Sequence, residues 1–220
     1  MERKDRRIVV KVGTSTLTTE TGMDNLRAFD AVGQCSLMFL YDKFFGEYGK
    51  TAAQILLNAE DMEHELKKDN LAGTFDTLLE MGVIPIVNEN DSVSCAEIES
   101  SERLFGDNDM LSAIVAVLCR ASKLIILSDV DGLYARDPRL HPGTEPIPLV
   151  ERIDEGLYAL AGGAGSRRGT GGMRTKLQAA ELATSQGIDT LIANGRRVSE
   201  LHDMARFMNI GTRFAAVRRP

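Results

Sequence analysis

The sequence is notable first for what it lacks. No stretch approaches the ~20 consecutive apolar residues that a membrane-spanning helix needs, so an integral membrane protein is not indicated. Cysteine is scarce: Cys35, Cys95 and Cys119 are odd in number and far apart, which argues against a disulfide framework or a zinc cluster. Basic excess is absent. A net charge of -6 opposes broad nucleic-acid binding, which requires a basic face against phosphates. The opening residues Met1 to Arg7 are highly charged and run directly into Ile8, Val9 and Val10, with neither the apolar core nor the small-residue cleavage site of a secretion signal. A cytoplasmic protein is therefore expected. Repeats, low-complexity tracts and linkers are also missing, so residues 1–220 read as one domain, long enough to bury roughly 70% of the unfolded surface. With hydrophobic residues at 43% and charged residues at 26%, the composition fits a globular core inside a polar surface.

What is present is an alternation of short β-branched runs with longer segments of helical period. That pattern predicts an α/β fold, an open and mostly parallel sheet with helices on both faces. Strands are expected near Ile8 to Val12, Ala52 to Leu57, Val83 to Val87, Lys123 to Leu127, Thr190 to Ala193 and Arg213 to Val217. Helices are expected over Leu26 to Tyr48, Asp61 to Met81, Asn108 to Arg120, Met173 to Gln186 and Val198 to Phe207. Gly82 and Gly187 stand where helices should end, since glycine takes the left-handed closing conformation without steric cost. The one compositional break is Gly162 to Gly172, a glycine-rich run that follows one helix and opens another.

Ligands of open α/β sheets bind at the carboxyl ends of the strands, and four segments at such places are unusually polar. In Val10-Lys11-Val12-Gly13-Thr14-Ser15, a lysine interrupts an apolar strand, which is costly unless its ammonium meets an anion or snorkels to water. Asn88-Glu89-Asn90-Asp91 leaves the strand ending at Val87; it can hold a polar substrate, or simply form a turn. Gly106-Asp107-Asn108-Asp109 opens a helix with more acid and amide groups than capping requires. Gly169-Thr170-Gly171-Gly172-Met173-Arg174-Thr175-Lys176 couples a helix N-terminus to a lysine, an arrangement suited to phosphate, although neither a Walker A loop nor G-x-G-x-x-G is present.

These segments together fit phosphoryl transfer. Bringing a carboxylate to a terminal phosphate sets two anions against each other, a repulsion of about 4 kcal/mol at ~4 Å and an effective dielectric of 20. Cations must offset it, and Lys11 and Lys176 are the candidates.

The same segments, with Asp30-Ala31-Val32-Gly33-Gln34, give the chain its resemblance to the amino acid kinase family, in order and over nearly its whole length. Within that family it is similar to the branch that phosphorylates the side-chain carboxylate of glutamate in the first step of proline biosynthesis. The resemblance implies that Lys11 and Lys176 contact ATP phosphates and that Asp109 organises the two lysines. It implies a nucleotide site formed by Ser128 and Asp129 with Thr170, Gly171, Gly172, Met173, Arg174, Thr175 and Lys176, and a glutamate site that includes Asp91 and Asn108. ATP with Mg2+, feedback inhibition by proline and a homo-oligomeric assembly are further expectations from the family. Other members, acting on acetylglutamate, aspartate or a nucleoside monophosphate, are alternatives, as is a nucleotide-binding regulator without catalysis.

Two departures from the family pattern stand out. Many bacterial members add a C-terminal PUA domain, whereas this chain stops at Pro220 after the last kinase strand. Members also place a crossover helix, a strand and a substrate-binding Ser-Gly loop between the first glycine loop and the Ala-Val-Gly-Gln block. Only Thr16 to Asp30 lie there in this sequence. A parallel crossover needs a dozen or more residues, so a missing segment is expected near residues 22–23.

Overall fold

The computed structural model describes residues 7–12, 26–62, 64–90, 108–138, 140–161, 172–208 and 210–217. Seven strands occur among them: β1 (Ile8–Lys11), β2 (Ala52–Leu57), β3 (Ile84–Glu89), β4 (Lys123–Ser128), β5 (Leu149–Val150), β6 (Asp189–Asn194) and β7 (Thr212–Phe214). The α-helices are α1 (Leu26–Gly46), α2 (Glu65–Glu80), α3 (Asn108–Leu118), α4 (Glu155–Ala161), α5 (Gly172–Ser185) and α6 (Leu201–Met204), with 3-10 turns at Ala59–Met62 and Gly195–Glu200. The chain divides into two compact units, one formed by Met1–Thr19 with Asp107–Pro220 and the other by Glu20–Gly106.

The first unit holds a five-stranded sheet in the order β1-β4-β6-β7-β5. β1, β4 and β6 run parallel, with Lys11 beside Ile126 and Ser128 beside Asn194, so their carboxyl ends share one edge. β7 reverses direction against β6 and carries β5 parallel to itself. Alternation along β4 sorts the core. Leu124 and Ile126 face one side with Ala113, Ala116, Leu177, Ala180, Ile192 and Phe214. Ile125 and Leu127 face the other with Leu191, Ala193, Met204 and Ile210. α3 and α5 thus cover the first face, and α6 the second. Strands so enclosed read as continuous apolar runs, which is why β4 and β6 are plain in the sequence.

The second unit pairs β2 with β3 in parallel, Ala52 beside Ile84 through Leu57 beside Glu89. Phe75 of α2 is its largest fully buried side chain among the described residues. Gly82 and Gly187 do take the left-handed conformation, at φ +76° and +80°, just after α2 and α5.

Three expected elements are cut short for identifiable reasons. The helix expected over Asp61 to Met81 is interrupted because His64 is extended, at φ -109° and ψ 116°, and α2 starts only after it. Of the helix expected over Val198 to Phe207, only Leu201–Met204 is α-helical: Val198 to Glu200 belong to the 3-10 turn, Glu200 leaves the helical region at φ -95° and ψ 11°, and Phe207 turns left-handed at φ +56°. The last strand stops at Phe214 because the chain then turns to other partners: Ala216 N–H donates to Asp189 Oδ1 at 3.1 Å and Val217 N–H to the Thr184 carbonyl at 2.9 Å.

Candidate active site

Lys11 is the last residue of β1, and α3 begins with Asn108 and Asp109. Asp109 is fully buried, and Lys11 Nζ lies 2.6 Å from its Oδ1. Lys176 reaches the same carboxylate from the first turn and a half of α5, donating to Oδ2 at 2.9 Å and to the Gly172 carbonyl at 3.0 Å. Thr175 Oγ1 donates to Oδ2 as well, at 3.2 Å. Both lysine side chains are only 11% exposed. Burial by itself would push the Asp109 carboxyl up, but the hydrogen bond from Lys11 and the charges of Lys176 and Lys11 hold it below the usual carboxylate range. One carboxylate facing two ammonium groups leaves a surplus positive charge, in a setting where water screens little. That surplus suits an anion.

The loop leaving β4 supplies a second polar group. Ser128 is buried, and its hydroxyl donates to Asp129 Oδ1 at 3.1 Å, while Asp129 is exposed. Asp131 accepts from Asn194 Nδ2 at 2.8 Å and from the Tyr134 hydroxyl at 3.1 Å, tying the ends of β4 and β6 together. Gly132 permits the turn: a Cβ there would lie 2.6 Å from Thr212 Oγ1. Asp131, Tyr134 and Asn194 were not singled out from the sequence. The rule that ligands sit past strand ends, applied to β6 as it was to β4, points to Asn194.

Of the other sequence candidates, Gly172 opens α5, Met173 packs against the core below it, and Arg174 is exposed. Asn108 is exposed at the start of α3. Asp91, Thr170 and Gly171 lie outside the described residues, as do the first glycine loop after Val12 and the expected gap near residues 22–23. In the second unit, β3 delivers Asn88 and Glu89 to its carboxyl end, where Asn90 N–H donates to the Leu57 carbonyl at 2.9 Å.

A divalent cation is a poor fit as a resident of this site. Both Asp109 oxygens already face ammonium groups, and no group of three or more His, Cys, Asp or Glu side chains suited to a metal occurs among the described residues. Magnesium that travels on nucleotide phosphates needs only one or two protein carboxylates.

Comparison with known proteins identifies the family. The amino acid kinase family model matches residues 27–194. A glutamate 5-kinase of Clostridium perfringens is 45% identical over an alignment covering 97% of this chain and 97% of that protein. One from Caldanaerobacter subterraneus is 40% identical over 97% of this chain and 69% of that protein. Among solved structures, a Giardia lamblia carbamate kinase superposes with a TM-score of 0.57 at 16% identity, over 92% of this chain and 76% of the other. A Ureaplasma parvum UMP kinase gives 0.56 at 13%, over 96% and 99%. The two structures share the fold at low identity, the glutamate 5-kinases share sequence along almost the entire chain, and the chain accordingly belongs to the amino acid kinase family.

Proposed function

We propose that this protein transfers the terminal phosphoryl group of ATP to the side-chain carboxylate of glutamate, giving glutamyl 5-phosphate in the first step of proline biosynthesis. The observation that carries the reading is the convergence of Lys11 and Lys176 on buried Asp109. The glutamate 5-kinases among its relatives supply the substrate.

In the reaction a carboxylate oxygen attacks the terminal phosphorus, and the bond to the bridging oxygen breaks as ADP leaves. The nucleophile is already ionised, so no general base is required. Positioning and charge are the whole task. Lys11 and Lys176 offset negative charge on the phosphates, and Asp109 keeps both ammonium groups aimed. Ser128, Asp129 and residues 170–176 serve the nucleotide, while Asp91 and Asn108 serve glutamate. Magnesium arriving with ATP supplies further neutralisation of the phosphate oxygens.

The test is direct. Purified protein is given Mg-ATP with glutamate, aspartate, acetylglutamate or UMP, with hydroxylamine present to trap an acyl phosphate. Hydroxamate formed with glutamate alone is the expected result, and turnover on another substrate with none on glutamate would replace this reading by one of its relatives. Proline inhibition and assembly into a homo-oligomer belong to the same proposal. No described helix is long and apolar enough to cross a membrane.

The proposal extends to the shortened connection after β1. The alignment to the Clostridium perfringens protein runs over 261 positions, more than the 220 residues of this chain, so that relative carries residues without a counterpart here. The alignment to the Meiothermus ruber glutamate 5-kinase spans 197 positions and 90% of this chain, without such an excess. An excess present when nearly the whole chain is aligned and absent when a tenth of it is left out supports a segment absent near residues 22–23.

A further inference from the structure

α4 and α5 border residues 162–171 in the chain, and one side chain links the two helices. The Tyr158 hydroxyl donates to Glu181 Oε2 at 2.6 Å. The Arg174 guanidinium stands 5.8 Å from the centre of the Tyr158 ring. Arg174 and Glu181 are two helical turns apart and so share a face of α5, which the ring of Tyr158 spans. Tyr158 and its neighbour Leu157 also pack against the core beneath. Burial, followed by the Glu181 carboxylate that accepts its hydrogen bond, holds the phenol well above its ordinary range, so it remains a donor at neutral pH.

We propose that Tyr158, fixed by Glu181, is a positioning residue for the nucleotide: its ring holds Arg174 in place on the opening turn of α5, beside Thr175 and Lys176, ready to meet the bound nucleotide. An exposed arginine samples many rotamers, and ordering it on binding has an entropic cost. A ring platform removes part of that cost beforehand. The inference rests on ATP being the ligand of this edge, as set out above.

Calorimetry with a non-hydrolysable ATP analogue tests it, alongside steady-state kinetics. Tyr158→Leu should weaken nucleotide binding about twofold to fivefold, the range of an exposed cation–π contact, and raise the KM for ATP in step. The KM for glutamate and the kcat at saturating ATP should stay within about twofold, which loss of fold stability alone would not achieve. Arg174→Leu should cause a similar loss, and the double variant no more than either single one. Tyr158→Phe, which keeps the ring, should fall between wild type and Tyr158→Leu, and it decides the matter if the leucine variant fails to fold. Additive losses, or nucleotide affinity unchanged in a folded Tyr158 variant, would overturn the inference. Failure of the wild-type protein to bind the analogue would instead overturn the nucleotide reading on which it rests.

Discussion

Asp109 gives up its hydration entirely and is compensated by two lysines, an arrangement that is strongly destabilising to interrupt because it strands a buried charge. Replacing it as Asp109→Asn leaves Lys11 and Lys176 facing each other without a counter-charge, and should cost about 3–5 kcal/mol in urea unfolding. Its pH dependence has a definite sign. The folded carboxyl titrates below its unfolded value of ~3.9, so its stabilisation is complete above that value and is lost as pH falls through the folded one. Wild-type stability should therefore fall on acidification below about pH 4 with a steeper slope than that of Asp109→Asn. Lys11→Ala and Lys176→Ala should each lower kcat by at least ~10² while circular dichroism shows the fold retained. Near-normal turnover in a folded variant would remove that lysine from the chemistry. All three residues could be named from the sequence, since a lysine in an apolar strand and an acid at a helix start are conspicuous when unexplained. Their mutual contact could not be named that way. It depends on β1 lying beside β4 while α3 and α5 pack together, which is tertiary information.

At the level of elements, the buried strands were the easiest to read. β4 and the centre of β6 are apolar because both faces are covered, and their boundaries were expected to within a residue or so. Helix interruptions were opaque. Nothing in the composition around His64 or Glu200 marks a break, although both leave the helical region of the backbone. β5, only two residues long, carries no pattern at all. In the proposed function the loops after the strands divide the labour of binding. Because Asp91 and Asn108 lie on segments separate from the glycine-rich run, Asp91→Ala and Asn108→Ala should raise the KM for glutamate while leaving ATP affinity, followed by calorimetry, unchanged. An equal defect for both ligands would show that the two subsites are not separate.

Across the whole molecule the two units are unequally furnished. The first has two packed faces around a five-stranded sheet. The second has, among its described residues, a two-stranded parallel sheet, an arrangement that normally lies covered on both sides within a larger sheet. Its apolar side chains Phe39, Phe44 and Leu56 remain 67%, 54% and 37% exposed. A strand and helix supplied by a segment near residues 22–23 would suit such a surface. Intact-mass measurement of the protein from its natural source should accordingly exceed the 24.1 kDa of this sequence, with additional peptides between Gly22 and Met23. A mass of 24.1 kDa would mean a real deletion, and such a chain should bind ATP but lose glutamate-dependent turnover.

The pairing of Ile8 with Lys123 also sets a timetable. β1 leaves the ribosome first but has no partner until β4 follows, a wait of roughly 5–25 s at about 5–20 residues per second. For that interval Ile8, Val9 and Val10 form a bare β-prone segment, the kind that recruits other nascent chains. The six residues Glu2 to Arg7 are all charged, and they sit where a guard against such association is needed. Neutralising Glu2 to Arg6, which spares the bond from the Arg7 guanidinium to the Cys119 carbonyl, should leave the finished enzyme's kinetics unchanged while lowering its soluble yield during synthesis.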